Sequence, residues 1–310
     1  MRVFLTGGTG AIGRHALSAL LLAGHEVSVL ARSVEKAGWV AALGARPVQV
    51  SLFDRVGLEE VIRGHEAVVN LATAIPPNSN FMKSRAWDMN DRIRIEGSST
   101  LADAALAAGA DRFIQESVVM LYSDGGDTWL DETAPTDNFP MARGNHAAEA
   151  SARRFAASGG RGVVLRFGWF YGPGATHSEE FLDLARKWGV CIQLGRSSTY
   201  LSSTHVEDGG RAVTAALTAP SGTYNASDDE PLTKKAYADA LAVATERKAY
   251  VRAPGSLALL LGDKTTSLTR SIRASNRLLK QVTGWAPVYR SAREGWIEMA
   301  GLNDARMSRN

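Results

Sequence analysis

The sequence predicts an α/β fold, a doubly wound parallel sheet followed by a smaller, mostly helical C-terminal lobe. Three observations predict it. Through the first two thirds of the chain, short β-branched runs alternate with stretches of helical apolar spacing, the signature of repeated βαβ units. A glycine-rich turn stands directly between the first such run and the first helical stretch. Beyond residue 175 the alternation breaks, and helical segments with irregular links follow.

In chain order, RVFL, EVSVL, RPVQV, AVVNLA, RFIQES and GVVLRF read as strands one to six. GRHALSALLLAG, DRIRIEGSSTLADAALAAGA and GNHAAEASARRFAASGG have helical spacing and end at glycine, which takes the left-handed capping conformation without steric cost. GPGATHSEEFLDLARKWG and DDEPLTKKAYADALAVATER are the helices of the lobe. Open α/β sheets bind ligands at the carboxyl ends of their strands, so the lobe is expected to cover that end.

Composition narrows the function classes. With 310 residues, 45% of them hydrophobic, the chain can bury an ordinary globular core. A formal charge of +3 with scattered arginines gives no nucleic-acid footprint. The opening MRVFLTGG lacks the long apolar run of a signal peptide, and SLALLLG near residue 256 is too short to cross a bilayer. The expectation is a cytoplasmic protein with neither a membrane nor a nucleic-acid partner. The single cysteine, Cys191, excludes an internal disulfide and a cysteine metal cluster, and reads as a filler of a small apolar site.

The strongest motif is TGGTGAIGRH. Gly7 permits a tight turn, Gly10 lets backbone approach a pyrophosphate, and Gly13 allows helix to pack on strand. The helix amino terminus then offers free amides and a positive dipole end, so Thr6, Ala11 and Ile12 join the glycines in the cradle. This marks residues 1–175 as a Rossmann-type dinucleotide-binding domain and 176–310 as mainly a substrate lobe, with some segments returning to the first domain. Where a cofactor site for NAD would have an acidic residue after strand two, VLARS has Arg32 and Ser33. A guanidinium pairs with a 2′-phosphate, so NADPH is expected, with NADH left open. Asp54 in SLFD is expected at the adenine pocket, and Asn70, Leu71, Ala72 and Thr73 along the path to the nicotinamide.

Taken with SLFD, NLAT, LRFGWFYGPG, HVEDGGRA, YNASDDEPLT and TGWAP in this order, the glycine motif resembles that of extended or atypical short-chain dehydrogenase/reductases, the branch with sugar-nucleotide epimerases and dehydratases. The resemblance runs through nearly the whole chain. It implies the fold, nicotinamide binding with Asn145, Phe167 and Gly168 at the cofactor, and a small-molecule substrate, and it leaves a homodimer through the helices beside strand five as an option. It also implies a Ser or Thr after strand five and a Tyr-x-x-x-Lys helix. Here SVVMLYS puts Val118 at the serine position, with Ser117 one residue off, and MARGNHAAE puts Met141 at the tyrosine and Asn145 at the lysine.

Neither Met nor Asn is a general acid near neutral pH. Replacement donors in the sequence are Ser117, Tyr122 and Tyr171, each of which also reads as a packing residue. His146 points away from Asn145 on the helix. His177 and His205 fit a loop and a helix start, while His25 and His65 fall in turns. No set has metal-ligand spacing, so no metal is expected. The remaining source of the proton is the substrate: a ketone beside a phenolic hydroxyl is already polarised by an internal hydrogen bond. An apolar slot for such a flat ring system could be built from Met141, Trp169 and Phe170, with Trp129, Trp285 and the LALLL stretch behind them, although the same residues would suit a plain core. Loss of Tyr and Lys together is similar to antibiotic-tailoring ketoreductases of the angucyclinone (simocyclinone) type. The reading is therefore an NADPH-dependent ketoreductase of a polycyclic aromatic substrate with unconventional proton supply. The alternatives are a non-catalytic NADP-binding regulator and an epimerase or dehydratase with relocated acid and base.

Overall fold

The computed structural model describes residues 1–80, 83–140, 142–191, 195–247, 251–252 and 265–307. Seven parallel strands make the central sheet: β1 Arg2–Thr6, β2 Glu26–Leu30, β3 Arg46–Val48, β4 Ala67–Asn70, β5 Arg112–Val118, β6 Arg161–Phe167 and β7 Gly222–Ala226. Their spatial order is β7-β6-β5-β4-β1-β2-β3. The chain order reverses between β1 and β4, which opens a crevice at their carboxyl ends. Six strands are those expected from the β-branched runs. The seventh comes from GTYNA, beyond the expected domain boundary, and returns to pair with β6 from Gly222↔Val163 to Ala226↔Phe167.

Both faces of the sheet are covered, which is why apolar runs such as residues 3–5, 67–69 and 163–165 continue through its central strands without alternating with polar residues. Val3, Leu5, Val29, Val69, Ile114 and Leu165 meet α1 (Ala11–Leu22) and α2 (Val34–Ala42) on one face. Phe4, Val68, Phe113 and Val164 meet α3 (Arg55–Ile62), α4 (Ser98–Ala107) and α5 (Ala142–Ala157) on the other. α4 is preceded by an α-helical turn, Asp88–Arg92, and a π-helical turn, Ile93–Gly97, within a stretch that the apolar spacing presents as one helix.

The lobe contributes α6 (Thr176–Trp188), α8 (Lys234–Ala244) and α9 (Ala292–Met307) around a core of Tyr171, Leu182, Cys191, Tyr237, Leu241 and Trp296. Cys191 is fully buried there. Between α6 and α8, α7 (Val206–Ala216) leaves the lobe to pack on α1, so tightly that a Cβ on Gly210 would lie 2.5 Å from the His15 carbonyl carbon. Among the described residues no helix is long and apolar enough to cross a membrane.

Candidate active site

The turn after β1 is shaped as a cradle. Gly7 has φ +71°, and a Cβ there would sit 2.3 Å from the Leu71 carbonyl oxygen, so the chain leaving β4 crosses over it at contact distance. A Cβ on Gly13 would lie 2.0 Å from the Gly7 oxygen. No side chain larger than glycine fits either place. Gly10 is the N-cap of α1 and supplies no side-chain cap, so the first amides of the helix, those of Ala11, Ile12 and Gly13, stay available to a ligand. These are the requirements of a diphosphate site, and the residues present meet them.

Around the cradle, the expected residues take different parts. Arg32 stands exposed at the end of β2. Ser33 caps α2 by accepting from the Lys36 amide at 3.3 Å, and Asp54 caps α3 by accepting from the Gly57 amide at 3.1 Å. Asn70 is fully buried and saturated: it accepts from Thr6 Oγ1 at 2.6 Å and from the Ala72 amide at 3.3 Å, and donates to Ser98 Oγ at 3.0 Å and Gln115 Oε1 at 2.8 Å. Its side chain, with that of Thr6, therefore ties β1, β4, β5 and α4 together beneath the crevice. Phe167 is buried in the sheet core. Gly168 crosses the Ser202–Ser203 backbone where a Cβ would come to 2.7 Å, and its amide donates to Thr204 Oγ1 at 2.9 Å.

The positions where a proton donor would stand are apolar or engaged elsewhere. Val118 is half-buried beside Leu121, Phe139 and Ala142. Ser117, one residue earlier, points to the opposite face of the strand, where its hydroxyl donates to Glu149 Oε1 at 2.8 Å. Glu149 in turn receives Arg166 Nε at 2.7 Å and Nη2 at 2.8 Å. Burial alone would raise the Glu149 carboxyl, but the Arg166 guanidinium, Ser117 and Arg153 outweigh it and hold its pKa below the usual value. Ser117 is thus committed to a buried charged network.

Tyr122 is fully buried, its hydroxyl donating to Asn225 Oδ1 at 2.8 Å and its ring under the Arg166 guanidinium at 4.8 Å. Burial pushes its pKa up. Tyr171, also fully buried, lies in the lobe core against Trp296 and His205, and burial together with the neighbouring Asp228 pushes it well above 10. A phenol so placed holds its proton. The histidines are no closer to the task. His146 meets the Asp137 carbonyl at 2.9 Å and His177 meets that of Phe170, with burial lowering the His177 pKa. His205, buried on every side, falls to about 3 and stays neutral.

Of the expected substrate slot, Met141 and the LALLL stretch lie outside the described residues. Trp169 is half-buried, edge-on to His177 at 5.1 Å. Phe170, expected beside it, is equally half-buried and packs against the edge of the sheet core on Phe167 at 5.1 Å, on the other side of the strand from Trp169. Trp285 is buried in that core as well, and Trp129 is stacked on the Arg273 guanidinium at 4.3 Å. No cluster of metal-ligating residues occurs among the described residues. Sequence reasoning missed Arg94 and Glu116, a buried ion pair, because nothing in their local sequence shows that the π-helical turn and β5 bring them together.

The family model described as the NAD dependent epimerase/dehydratase family matches residues 3–227. A 3-diazoavenalumate denitrifying reductase from Streptomyces is 30% identical over 311 residues, covering 95% of this chain and 99% of its own length. A 4-hydroxy-2-methyl-3-oxo-4-farnesyl-3,4-dihydroquinoline-1-oxide ketoreductase from Stigmatella aurantiaca is 34% identical over 182 residues, 57% of this chain and 52% of that protein. In overall fold the chain is similar to the UDP-glucose 4-epimerase of Thermotoga maritima (TM-score 0.80, 21% identity, 99% and 100% of the two chains) and to a human epimerase family protein solved with NADPH (TM-score 0.78, 23% identity, 97% and 99%).

Proposed function

Because this chain belongs to the NAD dependent epimerase/dehydratase family and is an NAD(P)-dependent oxidoreductase, we propose that it is an NADPH-dependent reductase whose aromatic substrate needs no acid from the protein. Its carrying observation is the state of the three candidate donors: Ser117 is bound to Glu149, Tyr122 to Asn225, and Tyr171 is enclosed in the lobe core. When bound, the reduced nicotinamide supplies a hydride. Gly7, Gly10, Gly13 and the first amides of α1 hold the diphosphate, and Arg32 favours the 2′-phosphate of NADPH. Val118, with Asn145 on α5, walls the nicotinamide end, and Trp169 offers a flat apolar surface to the substrate.

Within this reading two substrate classes satisfy the proton balance. An apolar, polycyclic aromatic ketone takes up one proton for each hydride, and a hydroxyl beside the carbonyl can hold the developing alkoxide and deliver that proton. An aryl diazonium takes up none, since replacing the diazonium group by hydrogen and releasing N2 balances with the hydride alone. The second class is favoured by the Streptomyces relative, which spans 95% of this chain and is named for a diazo substrate.

NADPH oxidation measured against matched probes decides between them: ketones with a free or a methylated neighbouring hydroxyl, and an ortho-hydroxy aryl diazonium with N2 release as a second readout. Turnover of free-hydroxyl ketones only supports the first class, and N2 release supports the second. Equal turnover of methylated and free ketones would overturn the reading, because a donor on the protein would then be at work.

A further inference from the structure

β5 runs beyond its neighbour. Gln115 is paired with Asn70 of β4, whereas Glu116, Ser117 and Val118 are paired only with β6. The β4 side of this terminal segment is therefore open at the carboxyl end of the sheet. With the diphosphate cradle after β1 and Arg32 after β2, a dinucleotide laid across the crevice has its adenosine on the β2 side and its nicotinamide over β4 and β5. In that placement the open segment would form the floor of the nicotinamide end.

Two buried charged links hold the floor from opposite faces. Ser117 is held by Glu149 and Arg166, as described above. Glu116 is held by Arg94, whose Nη2 lies 3.0 Å from Oε1 and 2.9 Å from Oε2, with the two residues 3% and 4% exposed. Arg94 belongs to the π-helical turn, and its stem passes across α5 at Gly144. A Cβ on Gly144 would lie 3.2 Å from both Cβ and Cδ of Arg94 and 3.1 Å from Asp91 Oδ1. The absent side chain and the widened turn together give the arginine its route, and such turns are frequent at functional sites.

Stability does not explain the arrangement. A buried ion pair is no better than a well-packed apolar pair of the same volume. Arg94 Nη1 adds to the cost, being enclosed with no hydrogen-bond partner among the described residues. We propose that Arg94 and Glu116 are positioning residues for the nicotinamide end of the cofactor, fixing the last residues of β5, and Val118 with them, against the packing of the π-helical turn on α5. The inference rests on the nicotinamide cofactor and not on the identity of the substrate.

The test compares whole cofactor with cofactor lacking the nicotinamide. Dissociation constants for NADPH and 2′-phospho-ADP-ribose, and in parallel for NADH and ADP-ribose, are measured on the parent and on Arg94→Met/Glu116→Leu, which replaces both charges and leaves neither unpaired. The second ligand pair keeps the outcome independent of the 2′-phosphate preference. The expected result is a tenfold or greater loss for the dinucleotides with the nicotinamide-free ligands within twofold of the parent. Equal losses for both kinds of ligand, or no loss, in a folded variant overturn the proposal, since a merely structural pair would not distinguish them. If the double variant does not fold, Gly144→Ala decides, because it displaces Arg94 without removing its charge. A loss confined to the dinucleotides supports the proposal; a shared loss or none overturns it.

Discussion

Replacing Asp228 with Asn isolates a proton held in the joint between sheet and lobe. The carboxyl is buried, accepts from Ser203 Oγ at 2.7 Å, and stands beside Tyr171, with Tyr237 and Asp208 near enough to act on it. Burial, reinforced by Asp208 and opposed by Ser203 and Tyr171, raises its pKa from 3.8 to about 7. The unfolded chain releases this proton near pH 4 and the folded chain near pH 7. Between those values the folded state binds more protons, so stability falls as pH rises and levels off above 7. A shift of about 3 units corresponds to roughly 4 kcal/mol at most, at about 1.4 kcal/mol per unit. Asn keeps an acceptor for Ser203 and carries no charge at any pH. Thermal unfolding of parent and Asp228→Asn between pH 5 and pH 8 should therefore show the variant gaining on the parent with rising pH. The gain should be several degrees by pH 8, at roughly 2 °C per kcal/mol for a chain of this size. Other carboxyls raised by burial, such as Glu132 and Asp91, titrate in both proteins and cancel in the difference. A Tm difference that stays constant from pH 5 to pH 8 would refute the reasoning.

Arg32→Asp should weaken NADPH by tenfold to a hundredfold, the ~1.5–3 kcal/mol of a charge-assisted contact, and NADH far less; equal changes in titrations of both would remove the 2′-phosphate assignment. Gly13→Ala puts a Cβ 2.0 Å from the Gly7 oxygen and should abolish binding of both cofactors in fluorescence titration, so retained affinity would contradict the cradle. Tyr122→Phe removes one buried hydrogen bond and should lower stability by ~1 kcal/mol with kcat unchanged; a tenfold fall in kcat at unchanged fold would make Tyr122 a participant. On the proposed reading Met141→Phe should raise KM, whereas Met141→Tyr should give little rate without Asn145→Lys, and a large gain from the tyrosine alone would mean a proton donor had been limiting.

Much of the sheet could be read along the chain because parallel strands covered on both faces carry apolar, β-branched runs, such as VFL in β1 and AVV in β4, that need no knowledge of their partners. The glycine loop was equally legible, since each glycine answers to a local steric demand that the structure states as a distance. β7 was not, because GTYNA mixes Thr, Tyr and Asn and owes its pairing to a distant strand. The π turn was hidden by an apolar spacing that continues through it. In the site, the absence of Tyr and Lys could be read directly, but what Ser117, Tyr122 and Phe170 do instead could not. Their hydrogen bonds and packing reach residues far away in sequence: Tyr122 ends on Asn225, and Ser117 on an ion pair spanning α5 and β6. The same holds for Arg94 and Glu116, whose contact depends on a missing side chain at Gly144.

The late return of β7 gives the protein an order of assembly. As the chain leaves the ribosome, β1 to β6 can form a sheet whose last strand has a bare edge, while α6 and α7 are still being made. Until Gly222–Ala226 arrives, the Tyr122 hydroxyl has no Asn225 to bind, and the Glu132 carboxylate lacks the Asn225 amide it accepts at 2.8 Å. The segment between β5 and α5, which borders the crevice, is thus fastened late, by β7 and then by residues 270–275, which pair with Trp129 and Leu130 and bind Tyr122 and Asp137. A chain released early at residue 175 would hold a finished phosphate cradle beside an unfastened site wall, with an open edge inviting another strand.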